Sequence, residues 1–502
     1  MLLTFALALA LGVAGCAVGP DYVRPAPPPG TDAPAFKESG LWTPASPAMA
    51  AADGAWWRAY GDAQLDALVD QANQANQTLA QAEAQYRQAR ALLQGARAAY
   101  YPTAGIGVTG TRSRSISNGT SSLGNAHAWS LQASWEPDLW GGVRRSVEAA
   151  GDNAQASAAD LAAARLAVQA DVVNNYIQLR LDDEQRALYA RTIEGYRKAL
   201  ALTQAQHRAG VATGADVALA QNTLASAQAD AIDLDLTRRQ LEHALAVLLG
   251  QAPAAFSLPE RPLQAALPAT PPGVPSQLLQ RRPDIAAAER RVAAANAQIG
   301  VAQAAYFPNL TLSASGGYQG TGFGPWFLMP GRVWALGAAL AGTLFDGGAR
   351  SAQVEQARAA LDAASAVYRQ TVLGGFQEVE DNLAALGDLA RERTAQDEAA
   401  RAAHVAAQVL LAEYRAGTAP YTSVVTAQAS ALAADRAVLQ LRARQFAASV
   451  ALIKAIGGGW DADQLPDAVK SDAAQAAPPD AAAAASAPVH AAASAARASF
   501  GE

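Results

Sequence analysis

The stretch QGARAAYYP (94–102) returns as GVAQAAYFP (300–308), and the closing prolines, Pro102 and Pro308, stand 206 positions apart. The same offset carries Ala82-Glu83 onto Ala288-Glu289, and DLWGG ending at Gly142 onto LFDGG ending at Gly348. HRAG ending at Gly210 matches YRAG ending at Gly417 with a shift of one further residue. Spaced matches at one nearly constant offset mark a duplicated unit of about 200 residues, not a short-period solenoid.

Each half reads as a helix, two strands, a very long helix, a tight turn and a shorter returning helix. The strands rest on period-two alternation. In SLQASWE (130–136), Leu131, Ala133 and Trp135 face one side, and Ser130, Gln132, Ser134 and Glu136 the other. In NLTLSAS (309–315), Leu310, Leu312 and Ala314 alternate with Asn309, Thr311, Ser313 and Ser315. The run Trp334–Leu344 repeats the pattern, and a fainter one over 103–114 keeps Ile106 and Val108 together. The predicted strands are therefore 103–114, 128–137, 309–316 and 332–344, with glycine- and serine-rich hairpin loops at 116–127 and 316–331.

No proline interrupts 144–208 or 349–415. At 1.5 Å per residue such a run makes a rod of roughly 100 Å, far beyond a globular helix. Val147, Ala150, Ala154, Ser157, Leu161, Ala164 and Val168 follow a 3-4 spacing, as do Val354, Ala357, Leu361, Ala364 and Tyr368, which fits a coiled coil or bundle. The returning helices, 215–249 and 423–456, are about half as long as the rods, so helices at 62–99 and 284–305 are expected to cover the remainder. Carboxylate pairs such as Asp182/Asp183 and Glu378/Glu380 are expected to be solvated. The expected organisation is a signal peptide (1–15), an extended N-terminal segment (16–61), a first repeat (62–249) and a connector (250–283) with seven prolines in 250–276. A second repeat (284–456) follows, and then an end segment with an Ala/Pro/Ser tail (457–502).

The one cysteine excludes an internal disulfide, and five scattered histidines show no metal-ligand spacing. Net charge is −6 with no basic run, which leaves no electrostatic footprint for nucleic acid. The apolar run Leu2–Val13 is too short to span a bilayer but suits a secretory h-region. Val13-Ala14-Gly15-Cys16 resembles a bacterial lipobox, which implies a covalent lipid on Cys16, although Met1–Ala10 carries no basic residue. With Ala17 rather than Asp after the cysteine, that pattern implies export to the outer membrane. No phosphate loop or nucleophile elbow is present, so neither an enzyme nor a bound cofactor is expected.

Four strands with an apolar face pose a problem if that face meets lipid, because hydrocarbon offers no partner for an open strand edge. Several chains must then share one barrel: eight strands would be filled by side chains, whereas twelve or more leave a channel. A soluble sheet packed on helices would explain the alternation equally well.

Here CAVGPDYVRPAPPP (16–29), LLQRRPDIAAAERRVAAANAQIGVAQAAYFPNLTLSASGGY (278–318) and LFDGG together resemble the TolC-like outer membrane efflux lipoproteins over about 16–459. The resemblance implies a mainly α fold with a transmembrane β-barrel. Three chains would share one 12-stranded barrel above a helical tube of ~100 Å, belted near 36–61, 250–283 and 457–470. The implied function is a passive outer-membrane duct of a tripartite system, exporting small molecules with a periplasmic adaptor and an inner-membrane pump of the resistance-nodulation-division class. The turns RAGVATGADV (208–217) and RAGTAPYTSV (415–424) match the family's tips. On that resemblance Gly210, Val211, Ala212, Thr213, Gly417, Thr418, Ala419 and Pro420 would dock the adaptor. Arg208, Asp216, Arg415, Tyr421, Val424 and Thr426 would form the periplasmic gate, with Thr426 where many relatives carry Asp. Asp216 also reads as a helix N-terminal capping residue, and Gly210 and Gly417 as helix C-caps. Two other readings stay open: a lipid-anchored periplasmic scaffold without a pore, and a protein-secretion duct driven by a different engine.

Overall fold

A computed structural model describes residues 18–31, 33, 35–38, 54–268, 277–321 and 331–466. The chain divides into two units after Leu465, and the helices and strands belong to the first. Cys16, the tail 471–502 and parts of the expected belt lie outside the described residues.

Seven helices and four strands carry the architecture: α1 (Ala63–Ala75), α2 (Gln77–Ala98), β1 (Thr103–Ser117), β2 (Thr120–Trp135), α3 (Gly142–Arg208), α4 (Gly214–Leu248), α5 (Pro283–Ala304), β3 (Asn309–Gly320), β4 (Arg332–Ala341), α6 (Ala349–Arg415) and α7 (Tyr421–Ala455). The rods α3 and α6 each run 67 residues and the returning helices 35. The first expected hairpin loop, 116–127, is instead mostly strand. β1 and β2 continue to a two-residue turn at Asn118-Gly119, both with positive φ (49° and 80°), the backbone that a type I′ hairpin demands. Serine and glycine there read as loop because they lack the bulk that marks a strand. The helix expected over 62–99 is broken at Asn76, whose side-chain oxygen caps the start of α2 by accepting from Thr78 and Leu79 N–H.

That break has a duplicate. Asn76 Nδ2 also donates to the Leu248 carbonyl at the end of α4 (2.8 Å), and Arg282, 206 positions later, donates to the Ala455 carbonyl at the end of α7 (3.0 Å). The short helices α4 and α2, and likewise α7 and α5, thus meet head to tail along the rods α3 and α6. Each junction closes on a glycine of positive φ whose backbone presses on the facing chain. A Cβ on Gly250 would sit 2.3 Å from the Ala75 carbonyl oxygen, and one on Gly457 1.9 Å from that of Arg281. Neither site admits a side chain.

In the upper half α3 packs against α2 and α5, and α5 against α6; in the lower half α3 packs against α4 and α7, and α7 against α6. Each chain is a wall four helices wide at both levels. The expected seam on α6 holds, with Val354 and Tyr368 buried; on α3 Ala154 and Val168 of the expected seam are buried, and Ala149, Ala156 and Ala159 beside it are buried as well. The larger core gathers Trp56, Trp57, Tyr60, Leu65, Val173 and Tyr176 beneath the connector.

Asp182 and Asp183, expected in solvent, are buried. The connector folds back across α3, and Asp183 accepts from Arg180 (2.8 Å) and Arg238 (2.7 Å), whose guanidiniums also hold the Pro259 and Leu258 carbonyls. Burial raises the Asp182 carboxyl to about 6. Glu378 is exposed, as expected, while it pairs with Arg282 (2.7 Å), and half-buried Glu380 accepts from the backbone N–H groups of Lys37 and Glu38.

The four strands form one antiparallel sheet in the order β1-β2-β3-β4. The register aligns Ile106, Leu131 and Gly316, and also Val108, Trp129 and Tyr318, so one face is apolar over the half of the sheet nearer the helices. It stays open within the chain: Ile106 and Trp334 are 74% exposed and Leu336 75%. The opposite face carries Gly105, Gly107, Thr109, Ser130, Gln132, Ser134 and Ser313.

Candidate functional site at the hairpin tips and along the wall

The turns at the far end of both rods are built alike. Each rod ends in a left-handed glycine, Gly210 (φ 75°) and Gly417 (φ 80°). The next N–H, of Val211 or Thr418, reaches back to the Gln206 or Glu413 carbonyl (2.8 and 2.9 Å), which closes the helix as a Schellman motif. The tips then differ. Thr213 and Asp216 form a reciprocal capping box: the Thr213 N–H donates to Asp216 Oδ2 (2.9 Å), and the Asp216 N–H to Thr213 Oγ1 (3.2 Å). The second tip begins α7 after Pro420, with no side-chain cap. Val211, Thr213, Gly417, Thr418 and Pro420 are exposed; Ala212 and Ala419 are half-buried.

Of the expected gate residues one chain brings only Tyr421 and Val424 into a common cluster. The Asp216 carboxylate is committed to the Thr213 cap, and Arg208 and Arg415 are exposed without an ion pair among the described residues. Thr426 is exposed, and its hydroxyl donates to the Thr422 carbonyl (2.9 Å). Tyr421 and Val424 are buried between the two hairpins, beside Ala220 and Tyr414, and burial raises the Tyr421 phenol above its ordinary value. What joins the hairpins does not stand out in the sequence. The Tyr414 hydroxyl donates to Gln206 Oε1 and lies 3.4 Å from Thr203 Oγ1, and its ring sits 5.2 Å from that of Tyr421. Tyr414 stands in the YRAG repeat where HRAG has His207, so a chemical change at a duplicated position is the available signal.

The two signature stretches prove to be one contact. Residues 18–24 run along α5, where the Val18 N–H donates to the Trp140 carbonyl (3.1 Å) and Asn296 Nδ2 to that of Pro20 (3.0 Å). Buried Arg145 holds Asp21 (2.9 Å) and the Gly19 carbonyl, and Tyr22 donates to Glu289 (2.5 Å) under the Arg290 guanidinium. Gly19 and Gly300 touch so closely that a Cβ on the first would lie 2.5 Å from the second's Cα.

A sheet with one lipid-ready face and one face of small polar residues, set on a wall of ~100 Å helices, defines the protomer of an outer-membrane channel. The outer membrane efflux protein family matches residues 68–251 and 274–458, and the chain belongs to that family. It is 33% identical over 419 residues to the pyoverdine export outer membrane protein OpmQ of Pseudomonas aeruginosa, covering 82% of this chain and 88% of that one. It is 31% identical over 468 residues to the toluene efflux pump outer membrane protein TtgF of Pseudomonas putida, covering 91% and 96%. The open-state structure of the Neisseria gonorrhoeae MtrE outer membrane channel superposes with a TM-score of 0.79 at 30% identity, over 89% of this chain and 99% of that one. The fold is TolC-like, and the protein is an outer-membrane efflux channel that extends into the periplasm.

Proposed function

We propose that three copies form a passive export duct for small molecules, the outer-membrane part of a tripartite assembly with a periplasmic adaptor and a proton-driven inner-membrane pump. One observation carries the trimer: the chain is unfinished along both flanks. β1 and β4 are free edges, and the helical wall ends on exposed Leu92 and Ile232 on one flank and on Val367 and Val405 on the other. Copies joined flank to flank pair β4 with β1 and set α6 against α2 and α4. Three is the smallest number that leaves a channel, with twelve strands and a ring of twelve helices at each level. The lumen face of Gly, Ser, Thr and Gln discriminates little. Relatives named for solutes as unlike as pyoverdine and toluene support a duct that leaves selection and energy to its partners.

The exposed tips Gly210–Thr213 and Gly417–Pro420 are the surface offered to the adaptor. Arg208, Asp216, Arg415 and Thr426, repeated three times, supply the polar ring of the resting gate, while Tyr421 and Val424 hold the hairpins together behind it. The strap over α5 brings Val18 to Trp140, beside the stacked Phe307 ring at the foot of the sheet. Cys16, two residues upstream in the sequence, carries the covalent lipid. The test is planar-bilayer conductance of the purified protein together with its mass. A trimer with small, mostly closed channels is expected; a monomer, or a non-conducting oligomer, overturns the duct.

A further inference from the structure

The apolar face of the sheet changes character toward its free end. By register Ile106, Val108, Arg112, Arg114 and Ile116 share one face of β1. Arg332 opens β4 on that same face, since it pairs with Tyr318, which pairs with Trp129 and through it with Val108. All three strand arginines therefore lie on the lipid side and none on the lumen side. The four strands hold no Asp or Glu, in a chain with 44 acidic against 38 basic residues. A hairpin end selected only for solubility would carry charge of both signs on both faces.

Height above the foot of the sheet fits this placement. From Tyr101, a strand rising about 3.4 Å per residue at a tilt near 40° reaches Arg112 after ~28 Å and Arg114 after ~34 Å. The apolar band of such barrels is about 25 Å tall, so both guanidiniums emerge in the headgroup layer. β3 pairs with β2 as far as Gly320 opposite His127, and among the described residues 120–126 pair with β1 alone. Arg112 forms no ion pair among the described residues. The Arg114 Nε donates to Ser121 Oγ across the hairpin, and its terminal nitrogens have no partner among the described residues. Exposed Leu123, opposite Arg114, and exposed Ile116 flank the pair.

We propose that this face of the β1–β2 hairpin binds the phosphate groups of the outer-leaflet glycolipid, the phosphorylated glucosamines of lipid A. Arg112 and Arg114 fork onto phosphate oxygens, a geometry the guanidinium favours, and Arg332 adds a third cation on the same side. The surface continues the lipid-facing band and complements an anionic leaflet in charge. It rests on the shared-barrel reading above.

The test is native mass spectrometry of the full-length trimer in neutral detergent, titrated with bisphosphorylated lipid A and with the same lipid after its phosphates are removed. Wild type is expected to prefer the phosphorylated lipid about tenfold or more, and Arg112→Gln/Arg114→Gln to lose that preference. Conductance in phosphatidylcholine bilayers should stay unchanged. Equal affinity of wild type for the two lipids, or an undiminished preference in the double variant, overturns the proposal. Absence of a conducting wild-type trimer would sink the barrel reading instead. Should the double variant fail to assemble, the wild-type preference is measured at low and at ~0.3 M salt: a fall supports phosphate recognition, and a preference insensitive to salt overturns it.

Discussion

At the scale of single residues, burial decides which side chains matter. Asp182 is 3% exposed, and one carboxylate oxygen finds no partner. Its carboxyl, raised from 3.8 to about 6 by burial, binds a proton more tightly folded than unfolded. Stability contributed at this site therefore falls as pH rises from about 4 to about 6, and stays low above that. Asp182→Asn is expected to stabilise the chain at pH 8 by about 1–3 kcal/mol and to change little at pH 4; denaturation curves at both pH values check it. At the tips, Tyr414→Phe removes the hydroxyl that ties the two hairpins, worth about 1 kcal/mol per chain. More frequent spontaneous openings in single-channel records are expected, and an unchanged open probability would remove the residue from gating. Neither site is legible in sequence. Gln206 lies more than two hundred positions from Tyr414, and nothing local tells that Asp182 is buried.

At the scale of elements, the duplicated sequence shows what each half must do and where the halves part. The rods, the turns and the alternating faces of the strands are readable because period and proline spacing are local properties. The type I′ turn at Asn118-Gly119 hides among small residues, and the break at Asn76 hides because an N-cap asparagine also passes for a helix surface residue. The glycine junctions are the parts least tolerant of change: Gly457→Ala brings a methyl within 1.9 Å of a carbonyl oxygen in a strained backbone. A loss of several kcal/mol, seen as failure to recover trimer, is expected, against a few tenths for the unhindered Gly374→Ala. The capping box allows a cleaner separation at the first tip. Thr213→Ala removes the cap at a cost of about 1 kcal/mol, and Asp216→Ala removes the cap and the charge. If the carboxylate also serves the gate, uptake of a large antibiotic should rise more in the Asp216 variant. Equal effects would leave Asp216 as a cap alone.

At the scale of the whole molecule, the two signature stretches make one clasp, with Gly19 against Gly300 and Tyr22 against Glu289. Gly19→Val should loosen it, and the expected readout is faster proteolysis after Arg24 with conductance unaltered. Both motifs stand out in the sequence, but nothing in it pairs them, since contact across nearly three hundred residues leaves no local trace. The head-to-tail splice of short helices along each rod has a mechanical meaning as well. In the proposed trimer it is placed to serve as a fulcrum roughly midway along the tube, with the 35-residue helices below it as lever arms of about 50 Å. A tilt of about 5° at the splice sweeps a tip through roughly 5 Å, wide enough to part side chains without breaking a rod. On the proposed trimer, small rotations at mid-height would then suffice to work an iris at the periplasmic mouth, with no change needed in the barrel.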